Sequence, residues 1–135
     1  MIVRLMDHLQ NFTVKLDSGT KCTQEILRSV ENEDWQSLES STENRERLLS
    51  QIASEQERIE AIINSIFSEE LTPENINIIK SWALDTQNWI TKTAEADDLI
   101  VERLNQSKDQ ATKEIATLFK SKTAFRGYNL NDVRK

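Results

Sequence analysis

Few side chains in this sequence could carry chemistry, and their spacing argues against most of it. The single histidine, His8, stands between Asp7 and Leu9. No second His or Glu lies at the HxxxH or ExxH spacing that would set two ligands on one helix face, so no histidine-built metal site is expected. Glu57 and Glu60 have the i, i+3 spacing of metal-binding bundles, yet those sites pair Glu-x-x-His motifs on facing helices. Cys22 has no partner for a disulfide, which fits a reducing compartment. Serines are plentiful but lack a base, and there is no GxxxxGK[ST], GxGxxG or GxSxG. The expectation is a protein that is not an enzyme, with no catalytic residues, no metal and no cofactor. Its work would then be recognition.

Elements that could present a recognition surface follow from composition and period. The chain has 135 residues, 37% apolar and 30% charged, with a mean hydropathy of -0.60. One domain is the natural size. Two Gly and one Pro leave a sheet protein without its turns. The fold class expected is all-α: an elongated antiparallel bundle of three long helices. Ile2, Leu5, Leu9, Phe12, Leu16, Gly19, Thr23, Ile26 and Val30 recur at threes and fours, the seam of a first helix ending near Val30. Gly19 costs a helix about 1 kcal/mol against Ala and marks either a close helix approach or a local kink, its place in an unbroken phase favouring the close approach. Glu31 to Trp35 reads as a turn with Asn32 as N-cap, the alternative being an uninterrupted helix. A second helix over about 33–69 carries the seam Trp35, Leu38, Thr42, Arg45, Leu49, Ile52, Gln56, Ile59, Ile63 and Ile66.

Thr72-Pro73-Glu74 is the clearest local signal: an N-cap, a proline at the first helical position and an acid in the first turn. The third helix runs from 73 to about 126, with a seam from Ile76 and Ile79 through Ala83, Thr86, Ile90 and Asp97 to Leu118. The stripe is weak between Thr86 and Asp97, and a break near 91–98 would give four helices. Gly127 suits the residue after a helix end. The domain division is therefore a helical bundle over 1–126 and a short C-terminal tail over 127–135.

The net charge of -6 is uneven. Residues 31–70 hold three basic and eleven acidic groups, whereas 108–135 hold seven basic and three acidic. No stretch has the basic excess that phosphate binding requires, so nucleic acid is not an expected partner. No apolar run approaches the roughly 20 residues of a membrane span, and the N-terminus has an acid and a His too early for a signal peptide. A soluble, cytoplasmic chain without membrane insertion is expected.

Two aromatic pairs are candidates for contact. Trp82 and Trp89, seven apart, form an edge beside the third seam and are either core or binding hot spots. Phe125 and Tyr128 lie on a basic terminus and read as a docking tag.

Two stretches resemble the flagellar type III export chaperones of the FliT and FlgN kind. One is Glu33-Asp34-Trp35-Gln36-Ser37-Leu38 followed by Glu43 to Ile52, similar to that family's acidic-Trp-x-x-Leu helix start with an Arg and paired aliphatics downstream. The other is Lys120 to Tyr128, similar to the Ala-aromatic-Gly segment that closes the last helix, although Arg126 separates Phe125 from Gly127. The resemblance implies a cytoplasmic chaperone that covers the amphipathic C-terminal helix of a filament-cap or hook-associated protein. It would prevent premature assembly and deliver its client to the flagellar export gate and ATPase complex. On that reading Ile76, Ile79, Trp82, Ala83 and Trp89 present a groove, completed by the Ile59–Phe67 end of the second helix with Ile63 and Phe67. Phe125 and Tyr128 contact the gate, and replacing Trp82 and Trp89 with Ala leaves the bundle folded. The alternative is a self-associating coiled-coil or spectrin-like structural bundle, with a homodimer as its partner.

Overall fold

The computed structural model describes residues 2–66 and 68–106. Among them the chain is all-α, with α1 over Ile2–Glu31, α2 over Trp35–Ser65 and α3 over Pro73–Asn105; a single 3-10 turn, Ser68–Glu70, precedes α3. The expected seams are the buried faces. Leu5, Leu9, Phe12, Leu16, Gly19, Thr23, Ile26 and Val30 of α1 are all buried at spacings of three and four, which keeps one stripe toward the neighbouring helices.

The turn between α1 and α2 lies where expected, but its cap is different. Asn32 follows directly on the end of α1, its N–H donating back to Arg28 O at 3.0 Å. Glu33 then reverses the chain at φ 54. Asp34, not Asn32, is the N-cap, and its side chain accepts from Ser37 N at 3.1 Å. α2 also ends earlier than the expected 69, because Ile66 turns to extended backbone at ψ 133. The start of α3 is as read: Thr72 Oγ1 accepts from Asn75 N at 3.2 Å, with Pro73 in the first turn. Asn75 Nδ2 reaches back to Glu70 O at 2.8 Å and ties the connection to the helix.

No break occurs at 91–98. α3 is continuous there, with nothing in the stretch to remove a backbone donor, and the Thr91 hydroxyl donates within the helix to Gln87 O at 3.1 Å. At ~1.5 Å per residue α3 is about 50 Å long. The expected continuation to 126, the tail over 127–135 and the docking residues Phe125 and Tyr128 lie outside the described residues.

α1 is the central element. It runs antiparallel to α2 and alongside α3, and it packs on both, whereas α2 and α3 make little backbone contact with each other. The core falls into two clusters. The larger joins Leu5, Leu9, Phe12 and Leu16 to Ile52, Ile59, Ile62, Ile63 and Ile66 of the second strip and to Ile79, Trp82 and Ala83 of α3. The smaller joins Ile26, Val30, Leu38, Ile100 and Leu104, with Trp35 packed against it. Between them lies a polar layer. Arg45 Nη1 and Nη2 donate to Asp97 Oδ1 and Oδ2 at 2.6 Å each, with side chains 7% and 5% exposed. A bidentate guanidinium is long and planar enough to bridge two helices whose backbones stay apart.

Candidate helix-binding groove

Among the described residues one open face lies along α1 and α3. α1 contributes Leu9, Gln10 and Thr13; α3 contributes Glu74, Asn77, Ile78, Ser81, Trp82 and Asp85. Together they line an open groove of about 670 Å³. Their spacing on α3, 74-77-78-81-82-85, is the three-and-four period of one helix side, adjacent to the seam and not on it. The floor is apolar where Leu9 and Trp82 reach the core. The walls are amides, hydroxyls and two carboxylates. Ile78 in its wall is a large aliphatic that is 38% exposed; outside the groove Val14 and Val3 on α1 and Leu84 on α3 are exposed as well.

Trp82 sets the floor because it is anchored from below. Its ring meets Phe12 edge-on, with centroids 5.8 Å apart and planes at 72°, a favourable aromatic geometry. Trp89, two turns further on, is seated on Gly19. Its Nε1 donates to Leu16 O at 2.9 Å and to Thr20 Oγ1 at 3.0 Å. A Cβ at Gly19 would come within 2.8 Å of Trp89 Cζ2. The glycine is thus a close approach, as its phase in the seam suggested, and it fixes how deep α3 sits against α1.

On the other side of α1 a second charged cluster holds α2. Glu55 is buried, and its carboxylate meets His8 Nδ1, Lys15 Nζ at 3.8 Å and Arg58 Nη1 at 3.6 Å. His8 is therefore half-buried against a carboxylate of α2. Three positively charged or hydrogen-bonding groups around one buried carboxylate satisfy it in place. Among the described residues no group of three His, Cys, Asp or Glu side chains could hold a metal ion, and no helix is long and apolar enough to cross a membrane.

The expected groove of Ile76, Ile79, Trp82, Ala83 and Trp89, with Ile63, is not open. Ile63, Ile79, Trp82 and Ala83 are buried in the large cluster, Trp89 packs against it and Ile76 is half-buried. α1 already occupies the face these residues share. Trp82 alone belongs to both sets, since one edge reaches the floor of the α1–α3 groove. The side chain of Phe67 lies outside the described residues, as do Phe125 and Tyr128. What the sequence reading passed over were Gln10, Thr13, Asn77, Ile78, Ser81 and Asp85, which sit off every seam. Ile78 is the one that carried a signal, as a large aliphatic next to a seam position.

No family model, no characterised protein and no solved structure gave a match when compared with the chain.

Proposed function

We propose that the protein is a helix-binding chaperone of the flagellar export kind. It would hold the amphipathic C-terminal helix of a filament-cap or hook-associated protein in the cytoplasm, keep it from assembling, and pass it to the export gate and ATPase complex. The reading starts from the resemblance of Glu33–Ile52 and Lys120–Tyr128. One observation supports it most: the α1–α3 groove, with Leu9 and Trp82 at its base and Ile78 in its wall, is open, while Ile63, Ile79 and Ala83 of the apolar seam are buried. On α3 the groove extends from Glu74 to Asp85, roughly 16 Å at 1.5 Å per residue. That is about three turns, enough for apolar anchors at i, i+3 or i+4 and i+7 of a bound helix. The client site is accordingly assigned to the groove and not to the buried seam.

The test is co-purification of the full chain with individually expressed filament-cap and hook-junction proteins, repeated with Ile78→Asp. A client retained by the wild type and lost by the folded variant supports the reading. The second reading, a self-associating structural bundle, is favoured by the exposed aliphatics Val3 and Val14 of α1. A chain that retains no such client and sediments as a dimer would replace the chaperone with that bundle.

A further inference from the structure

The groove carries a sign. Of its nine lining residues two, Glu74 and Asp85, are carboxylates, and none is Lys or Arg. Both are exposed, at opposite ends of the α3 wall. On α1 the same face continues to Asp7, three residues before Gln10, and to Asp17, four after Thr13. Asp17 is partly offset by Lys21 at 3.6 Å; among the described residues that line the groove there is no cation. The floor asks for apolar anchors and the rim for positive charge.

We propose that the occupant of the α1–α3 groove is an amphipathic helix of a partner protein that flanks its apolar stripe with lysine or arginine, an inference that rests on the helix-binding reading above. Leu9, Ile78 and the edge of Trp82 take the apolar side chains. Glu74 and Asp85, eleven residues apart, fall roughly three turns apart along the bound helix and pair with cations near its two ends. Rim charges of this kind act on choice of partner and on rate of encounter more than on total affinity. The acidic rim therefore selects among amphipathic helices that would otherwise fit equally.

The experiment is a fluorescence anisotropy titration of the full chain with three dye-labelled peptides of about four turns, one turn longer than the groove. One has a leucine stripe flanked by Lys, one the same stripe flanked by Glu, and one is a Lys peptide scrambled to abolish the stripe. The wild type is expected to bind the Lys-flanked helix at least about fivefold more tightly than the Glu-flanked one at low salt, and the difference is expected to shrink at high salt. The scrambled peptide should bind weakly. The variant E74K/D85K, and D85K alone in case the double variant is poorly folded, should lower or reverse the preference. Equal binding of the Lys and Glu helices, or a preference that survives charge reversal, overturns the inference while leaving a helix-binding groove intact. Failure of every striped peptide to bind overturns the groove and the helix-binding reading together. A wild-type dimer that dissociates on Ile78→Asp would give the groove to a second copy of the chain, which also overturns the inference.

Discussion

The pair Arg45–Asp97 should be the most sensitive point of the fold. Its two hydrogen bonds of 2.6 Å join side chains that are nearly withdrawn from water. Arg45→Met removes the guanidinium and leaves the Asp97 carboxylate buried with its principal partner gone. Breaking a buried ion pair from one side costs about 3–5 kcal/mol, because the remaining charge keeps its desolvation penalty. Against a total stability of roughly 5–15 kcal/mol, that is a large part of the whole. With a few degrees of melting temperature per kcal/mol for a chain of this size, the drop is about 10–20 °C. Asp97→Leu should cost a similar amount by taking away the carboxylate that faces the buried guanidinium.

The double variant is what tests the physics. Arg45→Met with Asp97→Leu removes both charges and fills the layer with apolar side chains, so it should return to within about 1 kcal/mol of the wild type or exceed it. The two single losses therefore do not add, and the interaction term is several kcal/mol. Urea denaturation followed by far-UV circular dichroism on monomeric samples gives all four corners of the cycle. Single variants that lose less than about 1 kcal/mol would mean the pair is wet and weak, as surface pairs are. A double variant that loses the sum of the singles would mean that each residue acts through its own packing and that the ion-pair account is mistaken.

Gly19→Ala gains about 1 kcal/mol of helix propensity, yet its methyl would meet Trp89 Cζ2 at 2.8 Å and push the indole from its bond to Leu16 O. A net loss of about 1 kcal/mol is expected in the wild type and a net gain in a Trp89→Leu background, both read by urea denaturation; a gain in the wild type would refute the close approach. Trp82→Ala should destabilise by about 3–5 kcal/mol as a core truncation, contrary to the expectation that the tryptophans are expendable for folding. A melt within about 1 kcal/mol of the wild type would return Trp82 to an exposed role. Glu33→Gly should stabilise by up to about 1 kcal/mol, since Glu33 holds φ 54 where glycine pays no steric penalty. A lower melting temperature in that variant would contradict the left-handed turn.

The helices were legible because each carries a three-and-four apolar code that persists through its weak steps. The three-and-four spacing from Leu5 to Val30 survives the weak steps Gly19 and Thr23, and Thr72-Pro73 leaves no other place for α3 to begin. The ends of α2 were harder to place, and for a local reason. Asn32, Glu33 and Asp34 all have cap or turn chemistry, and only the backbone reversal at Glu33 selects Asp34. The polar layer was half legible. Arg45 and Asp97 each fall on a seam, and one is basic and the other acidic. Placed on separate helices they look like two interruptions, one at the polar start of α2 and one suggesting a break in α3. Paired across the bundle they close the gap between the two apolar clusters, and the reason to break α3 disappears.

The groove was hard to read for a deeper reason. An apolar stripe states that a helix face will be covered, but not by what. Ile79, Trp82 and Ala83 carry the same stripe whether α1 or a client covers them, and here α1 is long enough, at 30 residues, to cover them itself. What stays open is made from side chains that are ordinary on a solvated helix: Gln10, Thr13, Asn77 and Ser81. Each is unremarkable alone, and none breaks a period. The described residues that do not fit a solvated face are Val3, Val14, Ile78, Leu84 and Leu99, aliphatic side chains off the seam and in contact with water. Isolated exposed aliphatics are common on protein surfaces and need no explanation. One of them, Ile78, acquires meaning once α1 and α3 lie side by side, because it then lines the groove between them. A binding site on such a bundle is therefore to be sought beside the seam, where the pattern is broken by apolar side chains, and not along the seam itself.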